Sequence, residues 1–256
     1  MGTLRPYGTN VMSKDVKPNK DETLDTIKDV KIIQAKEGYR FSVDAILLED
    51  FISAKRLDKG IELGTGSGII SILLAKRLKS TKITAVEIQK VLAGRAARNV
   101  ELNDLKEKID VRSMDMRKLR EEFHTNEFNF VFSNPPFRKP KTGRMSTDEE
   151  RAIARHEIEI NLPDLVSTAS YLLKHNGRFY MIYHPFRLAE LVSLLRESRL
   201  EPKRMRFVHS RPGEEAKMVL IEAVKGGGVW LKIDPPLYMY ENGKDYTREI
   251  REILKA

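Results

Sequence analysis

From Gly60 to Glu197 the chain alternates short apolar runs of strand type with longer amphipathic runs of helical period, and few architectures accept that rhythm. Strand, helix, strand is the signature of βαβ units, which build a parallel sheet with helices on both faces. Strands are read at Gly60–Leu63, Ile83–Glu87, Ile109–Arg112, Phe128–Ser133 and Gly177–Tyr183. Helices are read at Gly68–Leu78, Val91–Leu102, Leu162–His175 and Pro185–Glu197, with Pro185 suited to a first helical turn. After Arg199 the rhythm breaks, because "RMRFVHS" and "AKMVLIEAV" are strand runs joined by the turn-like "RPGEE". The expectation is an α/β fold with a seven-stranded, mostly parallel sheet carrying one antiparallel edge hairpin. "KGGGVW" then leads to a final strand and a short C-terminal helix.

Upstream, residues 1–20 lack apolar periodicity and read as a flexible tail before a single domain over 21–256. Within 21–58, "VKIIQAKEGYRFS" predicts a small β-hairpin turning at Lys36-Glu37-Gly38, and "VDAILLEDFI" a helix with Asp44 near its start. A chain of 256 residues that is 41% apolar can fill a substantial core. Its formal charge of +9 suits a polyanionic partner, and a merely soluble basic protein fits the same balance. The absence of cysteine excludes disulfides, thiolate metal sites and cysteine nucleophiles. His124, His156, His175, His184 and His209 have no metal-ligand spacing, so no metal is expected. The longest apolar stretches, near Gly68–Ala75 and Asn129–Ser133, are too short for a membrane span, and no secretory pattern opens the chain. A cytoplasmic location is the expectation.

"IELGTGSGII" sets Gly64, Gly66 and Gly68 between a strand and a buried helix, where glycine lets the backbone turn tightly and approach a ligand. Glu62, two residues before the first glycine, would oppose a bound pyrophosphate and suits a ligand with a positive ammonium or sulfonium. The next strand ends at Glu87, whose carboxylate can accept from both hydroxyls of a ribose. Asp115 in "SMDMR" can accept from an adenine amino group, and a plain loop aspartate explains it equally well. The fourth strand ends in "SNPPF", Ser133 to Phe137, a rigid corner because proline fixes φ and donates no hydrogen bond. A second corner, "DPPL" at Asp234–Leu237, has no aromatic and no glycine loop after it, and reads as a strand-exit loop.

In this order "ELGTGSG", "VEIQ", "MDMR" and "SNPPF" resemble the class I, Rossmann-like S-adenosylmethionine-dependent methyltransferases that modify amino groups. "DETLD", "GYRFSVDAILL", "RHE", "GRFYMIYHPFRLAEL" and "PPLYMYENGKDYT" extend the resemblance to the tRNA1(Val) adenine-N6 methyltransferase family over nearly everything after the tail. The resemblance implies S-adenosylmethionine as cofactor and S-adenosylhomocysteine as its product. It implies a donor pocket lined by Arg40, Asp44, Glu62, Leu63, Gly64, Thr65, Gly66, Gly68, Glu87, Ile88, Asp115, Met116 and Asn134.

An exocyclic adenine nitrogen attacks poorly while its lone pair is conjugated with the ring, so both of its hydrogens must be held by acceptors. Asn134, by its side-chain carbonyl, and Pro135, by its backbone carbonyl, supply them, Pro136 stiffens the corner, and Phe137 offers a ring for stacking. The following segment, 138–160, reads as a basic loop and helix in which Arg138, Lys139, Lys141 and Arg144 can track phosphates. The expected partner is therefore nucleic acid, a tRNA methylated near the anticodon, with no membrane and no indication of oligomeric state. The alternatives are a ribosomal RNA guanine-N2 methyltransferase, a release-factor glutamine methyltransferase and an RNA-binding module with a vestigial donor site. Against the glutamine reading, only about forty residues of ordered chain precede the glycine loop.

Overall fold

The computed structural model describes residues 16–37, 40–55, 58–136, 161–241 and 243–255. Gly38, Phe137 and the basic segment 138–160, including Arg138, Lys139, Lys141 and Arg144, lie outside the described residues. The elements are β1 (Glu22–Ile27), β2 (Val30–Ala35), α1 (Val43–Phe51), β3 (Lys59–Leu63), α2 (Ile69–Arg77), β4 (Lys82–Glu87), α3 (Lys90–Leu102), β5 (Ile109–Ser113) and α4 (Leu119–Glu122). They continue as β6 (Phe128–Ser133), α5 (Leu162–Leu172), β7 (Leu173–Tyr183), α6 (Leu188–Glu197), β8 (Leu200–His209), β9 (Ala216–Lys225), β10 (Lys232–Ile233), β11 (Leu237–Tyr238) and α7 (Arg248–Lys255).

The main sheet has the order β10-β8-β9-β7-β6-β3-β4-β5, with β11 also on β8. From β7 to β5 neighbours are parallel, and β9 runs antiparallel to both β7 and β8. Side chains alternate between two cores, as strand geometry requires. Ile83, Ala85, Tyr180 and Ile182 face α1, α2 and α7, whereas Val86, Phe179 and Met181 face α5 and α6.

The nine strands exceed the expected seven because two two-residue strands, β10 and β11, pair in parallel along the outer side of β8. The β8–β9 hairpin is thus covered rather than terminal. Asp234-Pro235-Pro236 links these short strands, and its two prolines, which have no N–H to give, keep them from joining into one. Asp234 N–H still donates to Met205 O at 2.8 Å, and Arg206 Nε to Pro235 O at 2.9 Å.

Two boundaries also differ. The helix expected over Leu162–His175 ends at Leu172, and β7 starts at once. There Glu127 N–H takes Leu172 O, and Lys225 Nζ donates to Ser170 O and Leu173 O, so terminal carbonyls of the helix gain partners from other elements. The N-terminal hairpin turns at Lys28-Asp29, where Ile27 pairs with Val30, and not at Lys36-Glu37-Gly38. Lys28 takes φ 51, a left-handed conformation that its residue type does not announce.

That hairpin is docked by amides. On α3, Asn99 Oδ1 accepts from Ile33 N–H (2.7 Å) and its Nδ2 donates to Ile33 O (3.0 Å), while Asn103 does the same for Lys31 (3.2 and 2.7 Å). Four helical residues rise about 6 Å and two strand residues about 6.7 Å, so the two periods match. Glu22 on β1 adds ion pairs to Arg95 (2.8 Å) and Arg98 (2.5 Å). Burial pushes its carboxyl up, but hydrogen bonds from Arg98, Asn19 N–H and Arg95 outweigh this and hold it at about 2. Asn99→Ala leaves the N–H and C=O of a buried Ile33 unpaired and is expected to cost about 1–3 kcal/mol per group. Asn103→Ala frees only groups of the exposed Lys31, which water can satisfy, and should cost clearly less; urea unfolding of both variants checks the difference.

Candidate active site

The ends of β3, β4, β5 and β6 lie together at the carboxyl edge, and chain order reverses at β3, which has β4 on one side and β6 on the other. Such a switch point leaves a crevice. Gly64, Gly66 and Gly68 have φ 79, 57 and 86, all in the left-handed region, so the loop after β3 needs glycine at each position. Gly64 and Thr65 N–H both donate to Val86 O at 2.9 Å, and Ser67 O accepts from Asn99 Nδ2 at 2.9 Å. Sequence reading missed Asn99, which serves the glycine loop and the hairpin at once from a separation of 32 and 66 residues.

Glu62 is buried beneath this loop, accepting at Oε2 from the hydroxyls of Thr65 (2.6 Å) and Ser71. Burial pushes its carboxyl up to about 8, the Ser71 and Thr65 hydroxyls pull it back, and Glu87 adds to the rise. At neutral pH the group therefore carries a proton in the free protein, and a cationic ligand would favour its ionised form. Glu87, also buried, accepts from Gly66 N–H and Gln89 N–H at 2.9 Å each. The two acids thus flank the glycine loop from below and from the neighbouring strand.

Asp115 caps the turn that follows it, accepting from Arg117 N–H at 2.9 Å, and pairs with the Arg117 guanidinium. Those Arg117 hydrogen bonds hold its carboxyl below the usual range. Met116 and Leu63 are buried in one core cluster with Val86, and Ile88 is half-buried past the end of β4.

At the end of β6, Ser133 Oγ donates to Leu63 O at 2.7 Å, fastening the Asn134 corner to the strand that leads into the glycine loop. Asn134 is half-buried, Pro135 buried and Pro136 exposed. Asn134 Nδ2 donates to Asp44 Oδ2 at 3.2 Å, and Ser42 Oγ donates to the other oxygen of Asp44. A carboxylate only accepts, so Asp44 fixes which end of the amide it meets, and among the described residues Asn134 Oδ1 is left as the acceptor end. Arg40 turns the other way, donating to Ala35 O (2.7 Å) and Asp25 (2.8 Å) on the hairpin. A cleft of about 910 Å³, lined by Ser53, Asn129, Gly177, Arg178 and Trp230, opens at the opposite end of the strands and includes none of these groups. Among the described residues no helix is long and apolar enough to cross a membrane, and no group of three or more His, Asp or Glu could hold a metal ion.

A parallel sheet with a glycine loop and two strand-end acids at its switch point is the construction of a nucleoside-binding α/β domain. The model of the methyltransferase small domain family matches residues 42–199, and the chain belongs to that family. A curated relative from Porphyromonas gingivalis, a tRNA1(Val) (adenine(37)-N6)-methyltransferase, is 31% identical over 164 residues, 63% of this chain and 64% of the relative. The chain therefore spans just under two thirds of that relative's length. The Bacteroides thetaiotaomicron protein of the same name is 29% identical over 188 residues, 73% of this chain and 77% of the relative. Among solved structures, a predicted O-methyltransferase from Agrobacterium tumefaciens superposes with a TM-score of 0.67 at 26% identity, covering 82% of this chain and 94% of that one. An S-adenosylmethionine-dependent O-methyltransferase from Thermotoga maritima shares the fold, with a TM-score of 0.53 at 19% identity over 76% of this chain and 69% of that one.

The buried Glu62 makes stability depend on pH. Its folded value of about 8 exceeds the ordinary 4.5, so the folded chain binds the extra proton and loses stability as pH rises through that window. Glu62→Gln removes the titration. Between pH 5 and 9 the melting temperature of the wild type should fall relative to this variant, and parallel melting curves would contradict the assignment.

Proposed function

We propose that the protein transfers the methyl group of S-adenosylmethionine to N6 of an adenine in structured RNA, in the anticodon region of a tRNA. The observation that carries the reading is the orientation of Asn134, whose amide is held at its nitrogen end by Asp44 with Oδ1 left for a donor. The names of the curated relatives and the charge of +9 support tRNA as the acceptor.

The residues present fit the cofactor. The left-handed glycines keep the loop free of side chains, the buried Glu62 beneath it would offset the charge of the ammonium, and Glu87 would accept from the ribose hydroxyls. Asp115, already paired with Arg117, would also accept from the adenine amino group, and Ile88 and Met116 would supply apolar walls. Bound there, the cofactor supplies a sulfonium methyl that needs only an in-line nucleophile, so the chain's work is positioning, worth up to about 7–11 kcal/mol at ideal geometry. Asn134 Oδ1 and the carbonyl of Pro135 accept the two N6 hydrogens and turn the nitrogen lone pair out of the ring. No side chain has to act as base, since the methylated nitrogen is acidic enough to release its proton to water. Phe137 stacks the target ring, and Arg138, Lys139, Lys141 and Arg144 track phosphates. An unpaired loop suits this chemistry because exposing a base there costs least.

Incubation with radiolabelled cofactor and, separately, total tRNA, ribosomal subunits or release factor tests the reading. Label confined to release factor would overturn it, and label in ribosomal RNA would favour guanine N2. Asn134→Ala should lower kcat by about 100-fold, the scale on which preorganised polar contacts act in a transition state, with cofactor affinity nearly unchanged. Asp44→Ala should lower kcat by about tenfold by freeing the amide to rotate. Isothermal titration with the cofactor separates that role from a place in the donor pocket, where its affinity would fall in step.

A further inference from the structure

The exit of β7 carries an aromatic pair that the mechanism above does not use. β7 lies parallel to β6 with Ser133 level with Met181, so both strands end at the same edge. The strands stand about 4.8 Å apart where Ser133 and Met181 pair, and the turn at His184–Arg187 leaves β7 on the same edge as the Asn134–Pro136 corner. There the chain makes a short 3-10 turn over Pro185–Arg187. Phe186 on that turn is 48% exposed, whereas Phe128, Phe130, Phe132 and Phe179 on the strands are all buried. The ring of His184 stands 4.7 Å from it, tilted by 51°.

The turn is braced. Arg187 forks onto Glu190 through Nε and Nη2, both at 2.7 Å, and its Nη1 donates to the hydroxyl of the buried Tyr183 at 2.9 Å. The Arg187 hydrogen bond holds the Glu190 carboxyl below its usual range. Pro185 fixes φ at the head of the turn. Arg187 is thus engaged in holding the turn, and what the turn presents to solvent is a ring.

We propose that Phe186, backed by His184, is the stacking platform for a nucleobase adjacent to the target in the same RNA strand. The proposal rests on RNA being the acceptor. A base is favoured as occupant by continuity with the amine corner, since both segments leave neighbouring parallel strands at one edge and successive nucleotides of a strand lie only about 3.4 Å apart when stacked. Aromatic rings stack on unpaired bases without regard to sequence, and single-stranded RNA is commonly held in this way.

The test uses a tRNA anticodon stem-loop and versions abasic on either side of the methylated adenine, with wild type, Phe186→Ala and Phe186→Tyr. Phe186→Ala should raise KM for the intact RNA by about 5- to 150-fold, leave kcat, cofactor affinity and melting temperature unchanged, and be rescued by Phe186→Tyr. Removing the flanking base should cost the wild type a similar factor and cost Phe186→Ala nothing more. Equal losses in both proteins, an unchanged KM in Phe186→Ala, or a fall in kcat alone would overturn the platform; an unchanged KM is also the outcome if the ring docks a protein. Wild type that labels no RNA would overturn both readings, whereas label with the other negative results overturns only this one.

Discussion

Two backbone N–H groups, of Gly64 and Thr65, converge on the carbonyl of Val86, and the carboxyl edge is organised around that turn. It ties the end of β3 to the end of β4 before any side chain is considered. Glycine at φ 79, 57 and 86 makes the turn possible, and Glu87 and Asn99 take the Gly66 N–H and the Ser67 carbonyl from opposite sides. A loop pinned at so many points is already in its binding shape, so little ordering remains to be done when a ligand arrives.

The acceptor side is built separately and fastened on. Ser133 ties the corner to Leu63, and Asp44 reaches it from α1, on a segment that enters the fold before the glycine loop. The two halves of the site therefore rest on one sheet but on different elements, and the donor half contributes nothing that distinguishes one acceptor amine from another. In the function proposed above, discrimination between acceptors falls to the groups around Asn134, with the turn after β7 leaving the sheet at the same edge.

Much of this is legible in the sequence because it depends on local patterns. Glycine spacing, an acid ending a strand and a proline corner can each be read within ten residues, and parallel strands then bring them to one edge. What is not legible depends on distance or on residues outside their usual roles. Asn99 and Asn103 look like ordinary polar helix positions, and their partners at Ile33 and Lys31 lie 66 and 72 residues away. Lys28 turns a hairpin without being a turn residue, which displaced the expected turn to Gly38. The early end of α5 is imposed by Lys225 and Glu127 from elsewhere in the fold. Asp44 reads as a donor-pocket residue, and its hydrogen bond to Asn134, 90 residues on, leaves no local sign in the sequence.

The asparagine pair on α3 has one more consequence. Each strand of a two-stranded sheet presents unpaired N–H and C=O groups along its outer edge, and such an edge is a template for annealing with another chain. In this protein the groups of Ile33 and Lys31 are already occupied by side-chain amides, which imitate a neighbouring strand yet offer no further backbone to pair with. On the β2 side, growth of the sheet stops at a helix. The protection lasts only while α3 stays docked, so partial opening of that helix, rather than global unfolding, is the event that would uncover a sticky edge.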